Sequence, residues 1–179
     1  MLARPSSRLF TRADALEYQL CERLNRGCRR DSVRDLFRLV SRLGDGVAWY
    51  LLMLLIPVGY GEAGLRPTLL MAGTGAVGLA LYKLLKSRLV RERPYITFDR
   101  IRPGTAALDR YSFPSGHTLH AVSFTWLATA HFPELGWILI PFAALVAASR
   151  VVLGLHYPSD VLAGGTIGAA LACAASALG

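Results

Sequence analysis

The 179-residue chain reads as an all-α protein, a polytopic membrane helix bundle of about five transmembrane helices behind N-terminal amphipathic, interfacial helices. Three observations predict this. Hydrophobic residues make up 53% of the sequence and the mean hydropathy is +0.38, high for a soluble domain that must keep a polar surface. The apolar residues are gathered into runs that approach membrane length. The net charge of +8 is also segregated, with ten of the twenty basic residues in the first 45 positions and eight between Lys83 and Arg110. Basic blocks that flank apolar runs fit membrane topology and anionic headgroups, not the groove of a nucleic acid, so no nucleic-acid partner is expected.

Residues 1–45 form a basic, amphipathic helical segment. In Ala15-Leu-Glu-Tyr-Gln-Leu-Cys-Glu-Arg-Leu and Val33-Arg-Asp-Leu-Phe-Arg-Leu-Val the apolar positions recur every three or four residues. That is the pattern of interfacial helices or of a solvated helical hairpin. The opening leads into charged sequence, so no cleavable signal peptide is expected. Residues 46–179 form the membrane-embedded domain. Its first span, 47–60, follows Gly44-Asp45-Gly46 and is short for a hydrocarbon core of ~30 Å, so it borrows the apolar face of 36–43. Pro67 is placed at a helix start. The second span, 68–85, is rich in Gly and Ala, which suits close helix contact in lipid. A hydrophilic stretch, 86–113, precedes a third span at 118–132, a fourth at 137–153 and a fifth at 159–178. The fifth carries Gly164-Gly-Thr-Ile-Gly168, a small-xxx-small pattern that lets backbones approach. Cys21, Cys28 and Cys173 cannot all pair and lack the close partners of a zinc site, so they read as reduced and structural.

From Tyr111 to Gly179 the only formal charges are Glu134, Arg150 and Asp160. Arg150 and Asp160 bracket His156 inside apolar sequence, where a charge costs roughly 2.5–3.5 kcal/mol on insertion scales and is read as functional by default. They form either a structural ion pair around a packed histidine or part of a site. Two further polar segments, Lys86–Pro94 and Pro114-Ser115-Gly116-His117, fall on the same membrane face in this layout. Ser115 and Gly116 suit a helix start that receives an anion. Lys86, Arg93 and Arg150 add positive charge, and arginine's planar fork matches phosphate oxygens. Pro158 suits the first helical position, which sets Asp160 in the first turn, able to reach back to His156 and leave one ring nitrogen as a nucleophile. His117 can then protonate a departing oxygen.

Lys86 with six residues before Arg93-Pro94, then Pro114-Ser115-Gly116-His117, then Ser149-Arg150 with five residues before His156 and three more before Asp160, resemble the three signature motifs of the type 2 phosphatidic acid phosphatase (PAP2) superfamily. No signature position is missing. The resemblance implies His156 as a nucleophile forming phosphohistidine, Asp160 as its orienter and His117 as general acid and then base. It also implies phosphate binding by Lys86, Arg93, Ser115, Gly116 and Arg150, with no metal or other cofactor. The expected function is metal-independent hydrolysis of a membrane lipid phosphate or diphosphate of the undecaprenyl diphosphate, phosphatidic acid or phosphatidylglycerophosphate type. A lipid phosphotransferase using the same phosphohistidine, and a non-catalytic scaffold or lipid carrier, are the competing readings. The layout is similar to small bacterial undecaprenyl-diphosphate phosphatases, which implies the cytoplasmic membrane. The basic count places the 86–113 loop on the cytoplasmic side, but Lys86 and Arg93 have a catalytic reason to be there, so that count does not assign the face. Among the other polar residues, His120 reads as a packed helix histidine and Lys83 as snorkelling to headgroups. Arg88, Arg91, Arg100, Arg102 and Arg110 read as headgroup-facing charge, with Arg91 the one that could also support the site.

Overall fold

A computed structural model describes residues 8–107 and 109–177; the first seven residues and the C-terminal end of the expected fifth span lie outside it. Regular structure among the described residues is helical, apart from one antiparallel bridge between Glu92 and Tyr111. The chain runs through α1 (Arg8–Asn25), α2 (Asp31–Arg42), α3 (Ala48–Tyr60), α4 (Glu62–Arg88), a one-turn α5 (Pro94–Thr97), α6 (Gly116–His131), α7 (Gly136–Val152) and α8 (Pro158–Ala177).

Among the described residues, four stretches are long and apolar enough to cross a membrane: Asp31–Tyr60, Glu62–Arg88, Pro133–Val152 and Pro158–Ala177. In the first, α2 runs on into α3 as expected, through a kink at Leu43–Val47 where Asp45 and Gly46 leave helical dihedrals, Gly46 at φ +124°. The expected third span is α6, whose 16 residues fall short of the about 20 needed to cross alone. It compensates by lying inside the bundle, with Leu119, Ala121, Leu127 and Ala128 fully buried. Pro67 does not open its helix. Gly61, at φ +59°, makes the turn, α4 starts at Glu62, and Pro67 sits inside it at the loss of one backbone bond.

Among the described residues, α6 and α8 bring main chain closest to main chain at their glycines. A Cβ on Gly164 or Gly168 would collide with the backbone carbonyl oxygens of Ser115 and Leu119 respectively. The small-xxx-small pattern is therefore spent within this chain, on α6. The first turns of the two helices are also tied directly, Ser115 N–H donating to Asp160 O at 3.0 Å.

The apolar core joins Trp49 and Ile56 of α3, Met71 of α4, Phe124 and Leu127 of α6 and Val146 of α7. A smaller cluster, Cys21, Ile101, Val151 and Tyr157, packs α1 against the end of α7 and the segment after α5. Asn25 locks this junction, its Nδ2 donating to Arg102 O and Val152 O and its Oδ1 accepting from Arg102 N–H, each at 2.9 Å. The three cysteines are free thiols.

Candidate active site

Lys86, Arg93, Gly116, His117, Arg150 and His156 all line one cavity of about 450 Å³. Each is delivered by an element end. Lys86 is in the last turn of α4, Arg93 precedes α5, Gly116 and His117 open α6, and Arg150 closes α7. His156 follows a turn at Gly154, whose φ of +72° lies in the left-handed region that glycine enters without steric cost, and where a Cβ would meet Ile101 at 2.8 Å. Ser115 and Asp160 stand behind the cavity wall, both fully buried.

The imidazole of His156 is buried and its two nitrogens face different partners. Nε2 lies 3.1 Å from Arg93 Nη1. A guanidinium is always a donor, so Nε2 carries the lone pair and the proton is on Nδ1. Nδ1 makes no hydrogen bond, and the carboxylate beyond it is Asp160, with Oδ2 at 3.6 Å. Burial, then Arg93, Arg150 and Lys86, hold this imidazole well below its ordinary pKa, so it is neutral and nucleophilic at physiological pH.

Three cations surround that lone pair. Arg93 also donates from Nη1 to Leu155 O at 2.8 Å. Arg150 is buried, with Nη1 on the Ser41 hydroxyl and its Nε without a partner. A buried guanidinium with an unused donor at a cavity wall is built for an anion. Lys86 Nζ reaches Asp109 Oδ2 at 2.7 Å and lies over the Tyr82 ring. The other Asp109 oxygen accepts from Arg93 Nη2 at 3.0 Å. Burial alone would raise this carboxyl, but Lys86 and Arg93 outweigh it and hold it below the usual range. Asp109 thus lies where an anion would bridge Lys86 and Arg93.

Arg150 and Asp160 do not pair with each other. Asp160 instead accepts from Arg91 Nη1 at 2.6 Å and from Tyr157 N–H at 2.8 Å. Arg91, expected at the headgroups, is fully buried. The Ser115 hydroxyl bonds Thr118 Oγ1 at 3.0 Å and not the cavity, while Ser149 Oγ donates to Val146 O. His120 sets Nδ1 2.9 Å from Gly116 O and Nε2 3.3 Å from Gly75 O, so its one N–H donates to a backbone carbonyl as in a packed helix histidine, although its ring also forms part of the cavity wall. Asp45, at the α2–α3 kink, comes within 3.3 Å of His117 Nε2. Neither Asp45 nor Asp109 was singled out by motif spacing. A charge inside an apolar span was the available signal for Asp45; the Asp109 contact depends on the path of the 95–110 loop, which spacing does not encode.

The sequence profile of the PAP2 superfamily matches residues 66–178. The chain belongs to the PAP2 superfamily. Among PAP2 relatives, it is 30% identical over 150 residues to undecaprenyl-diphosphatase BcrC of Bacillus subtilis, covering 82% of this chain and 76% of that one. It is 33% identical over 145 residues to decaprenylphosphoryl-5-phosphoribose phosphatase of Mycobacterium tuberculosis, covering 79% and 78%. The crystal structure of the transmembrane PAP2-type phosphatidylglycerolphosphate phosphatase from Bacillus subtilis superposes with a TM-score of 0.72 at 25% identity, covering 96% of this chain and 87% of that one. The protein is an integral membrane phosphatase of this superfamily, and the relatives just named are phosphatases or diphosphatases of lipid-linked substrates.

Proposed function

We propose that the protein hydrolyses a polyprenyl phosphate or diphosphate, with undecaprenyl diphosphate the first substrate to test, by two displacements through a phosphohistidine on His156. The observation that carries this is the lone pair of a buried, neutral His156 Nε2 facing a cavity that Lys86, Arg93 and Arg150 line together with His117. The likeness to BcrC supports the substrate class. So does the cavity's far wall, where Trp49, Tyr50 and Met53 of α3 and Leu79 of α4 offer apolar contact to the chain beyond the phosphate.

In the first step the entering phosphate takes the Lys86 and Arg93 donors from Asp109, and Arg93 turns from Nε2 to a phosphate oxygen. Nε2 attacks phosphorus as the phosphorus–oxygen bond to the leaving group breaks, and His117, which takes up a proton when the anionic substrate and Asp45 offset the cations around it, gives that proton to the departing oxygen. Proton loss from Nδ1 would be opposed by Asp160, whose charge stabilises the protonated side of the ring. In the second step water attacks phosphorus and gives a proton to His117, the phosphorus–nitrogen bond breaks, and His156 and inorganic phosphate are restored. Three fixed cations hold the charge that develops on the equatorial oxygens in both steps.

The purified protein in detergent should release inorganic phosphate from undecaprenyl diphosphate, with or without EDTA. The His156→Ala variant should lose at least about 10³-fold in kcat, since the covalent route is gone. Wild-type turnover in that variant would refute the nucleophile assignment.

A further inference from the structure

Behind the cavity lies an ionic cluster that the reaction scheme does not use. Arg91 is fully buried and absent from the cavity wall, yet its guanidinium joins three parts of the chain. Nε and Nη2 both reach Asp14 Oδ1 of α1, at 2.8 and 2.7 Å. Nη2 also meets Glu17 Oε1, one turn along α1, at 3.2 Å. Nη1 donates to Asp160 Oδ1 at 2.6 Å and to Ser159 Oγ at 2.7 Å in the first turn of α8. The plane stacks on the ring of Tyr157, 3.9 Å from its centroid. Glu17 closes the circuit by accepting from Ser159 N–H at 2.8 Å and Ser159 Oγ at 2.6 Å.

The two oxygens of Asp160 are therefore divided. Oδ1 is held by Arg91; Oδ2 accepts from Tyr157 N–H and is the one turned to His156 Nδ1. A carboxylate gripped at one oxygen cannot rotate, so the other keeps its direction toward the imidazole. Arginine supplies this grip because its fork reaches several acceptors at once in one plane. A lone Arg91–Asp160 pair would cancel the charge that should act on His156. The carboxylates of α1 share the guanidinium, which leaves Asp160 negative toward the ring. The residues that do this, Asp14 and Glu17, lie outside the stretch matched by the superfamily profile.

We propose that α1 belongs to the catalytic relay: Asp14 and Glu17 act through Arg91 as positioning residues that orient Asp160 and, through it, fix the Nδ1–H tautomer of His156. This rests on the phosphohistidine reading given above. Arg91 and Asp160 do not touch the cavity, so disturbing the relay changes kcat and not substrate binding.

Arg91→Lys keeps the charge but lacks the fork, and Glu17→Gln keeps the size but lacks the charge. Each should lower kcat about tenfold with KM within about twofold of wild type. In ¹⁵N-histidine spectra of the protein in micelles, the Nδ1–H tautomer of His156 should give way to a mixture in both variants. Leu16→Ala, on the exposed face of α1, should leave kcat and spectrum unchanged. If Arg91→Lys does not fold, as judged by thermal unfolding in detergent, Glu17→Gln decides the matter. Wild-type kcat and an unchanged tautomer in the folded variants would overturn the inference while leaving an inactive His156→Ala, and with it the reading of the nucleophile, intact. A fully active His156→Ala would sink that reading first, whatever the relay variants do.

Discussion

Arg91 and Arg93 stand two residues apart, and both point inward, yet they behave in opposite ways. Glu92 between them points outward, pairing with Arg110, as alternation along an extended strand requires. Arg93 opens onto the cavity, where its partners are a ring nitrogen, two carbonyls and one loop carboxylate. Arg91 is enclosed by three carboxylates and two aromatic rings. The front arginine holds partners that a phosphate can replace; the rear arginine holds partners fixed by helix packing. The same side chain faces an open cavity in one setting and is locked into a scaffold in the other, and what separates them is whether an anion can reach it.

Substitutions can break or sharpen this contrast. The largest effect is expected at the front. Arg93→Ala removes donors to the phosphate and should lower kcat/KM about 10²–10³-fold, as loss of a preorganised anion donor does. An effect confined to protein stability would erase the distinction between the two arginines. Asp109→Asn should act in the opposite direction, since it removes the internal anion that competes for Lys86 and Arg93. KM should fall about threefold with kcat unchanged, measured in the same phosphate-release assay; a rise in KM would make Asp109 a necessary support for the cations. The smallest effect concerns pH. Burial, and then the front cations, depress the His156 pKa below its unfolded value. The unfolded chain therefore binds a proton that the folded one refuses once pH falls below about 6.5. This contribution to stability is present at higher pH and lost on acidification, so the thermal midpoint in detergent should drop between about pH 7.5 and 5.5. Inorganic phosphate, which neutralises the front, should reduce that drop.

Much of the front was legible in the sequence because its chemistry is carried by residues at fixed short spacings. Lys86, Arg93, His117, Arg150 and His156 converge as their positions at the ends of apolar spans imply. The continuation of the first span back into 36–43 was legible for a similar reason, since 47–60 alone is too short for a bilayer. The rear was not. Asp14 and Glu17 reach Arg91 across more than seventy residues, and helical periodicity in α1 says only which side is polar, not what lies opposite. One signal was present. Arg93 precedes Pro94, which favours extended backbone, and in extended backbone Arg91 shares its face. Asp109 was hidden for another reason: it is one acid in a long polar loop, and only the fold of that loop brings it to Lys86.

The seam between α6 and α8 has a consequence for how the two histidines are held. His117 opens α6, and His156 lies just ahead of α8, so their separation depends on how near these helices sit. Where bulky side chains set such a distance, it varies with rotamer and with thermal expansion of the packing. Here main chain rests on main chain at Gly164 and Gly168, and the Ser115–Asp160 hydrogen bond pins the two first turns. The spacing between the two imidazoles is thus a hard-contact dimension, set by the protein's own main chain and not by the lipid around it.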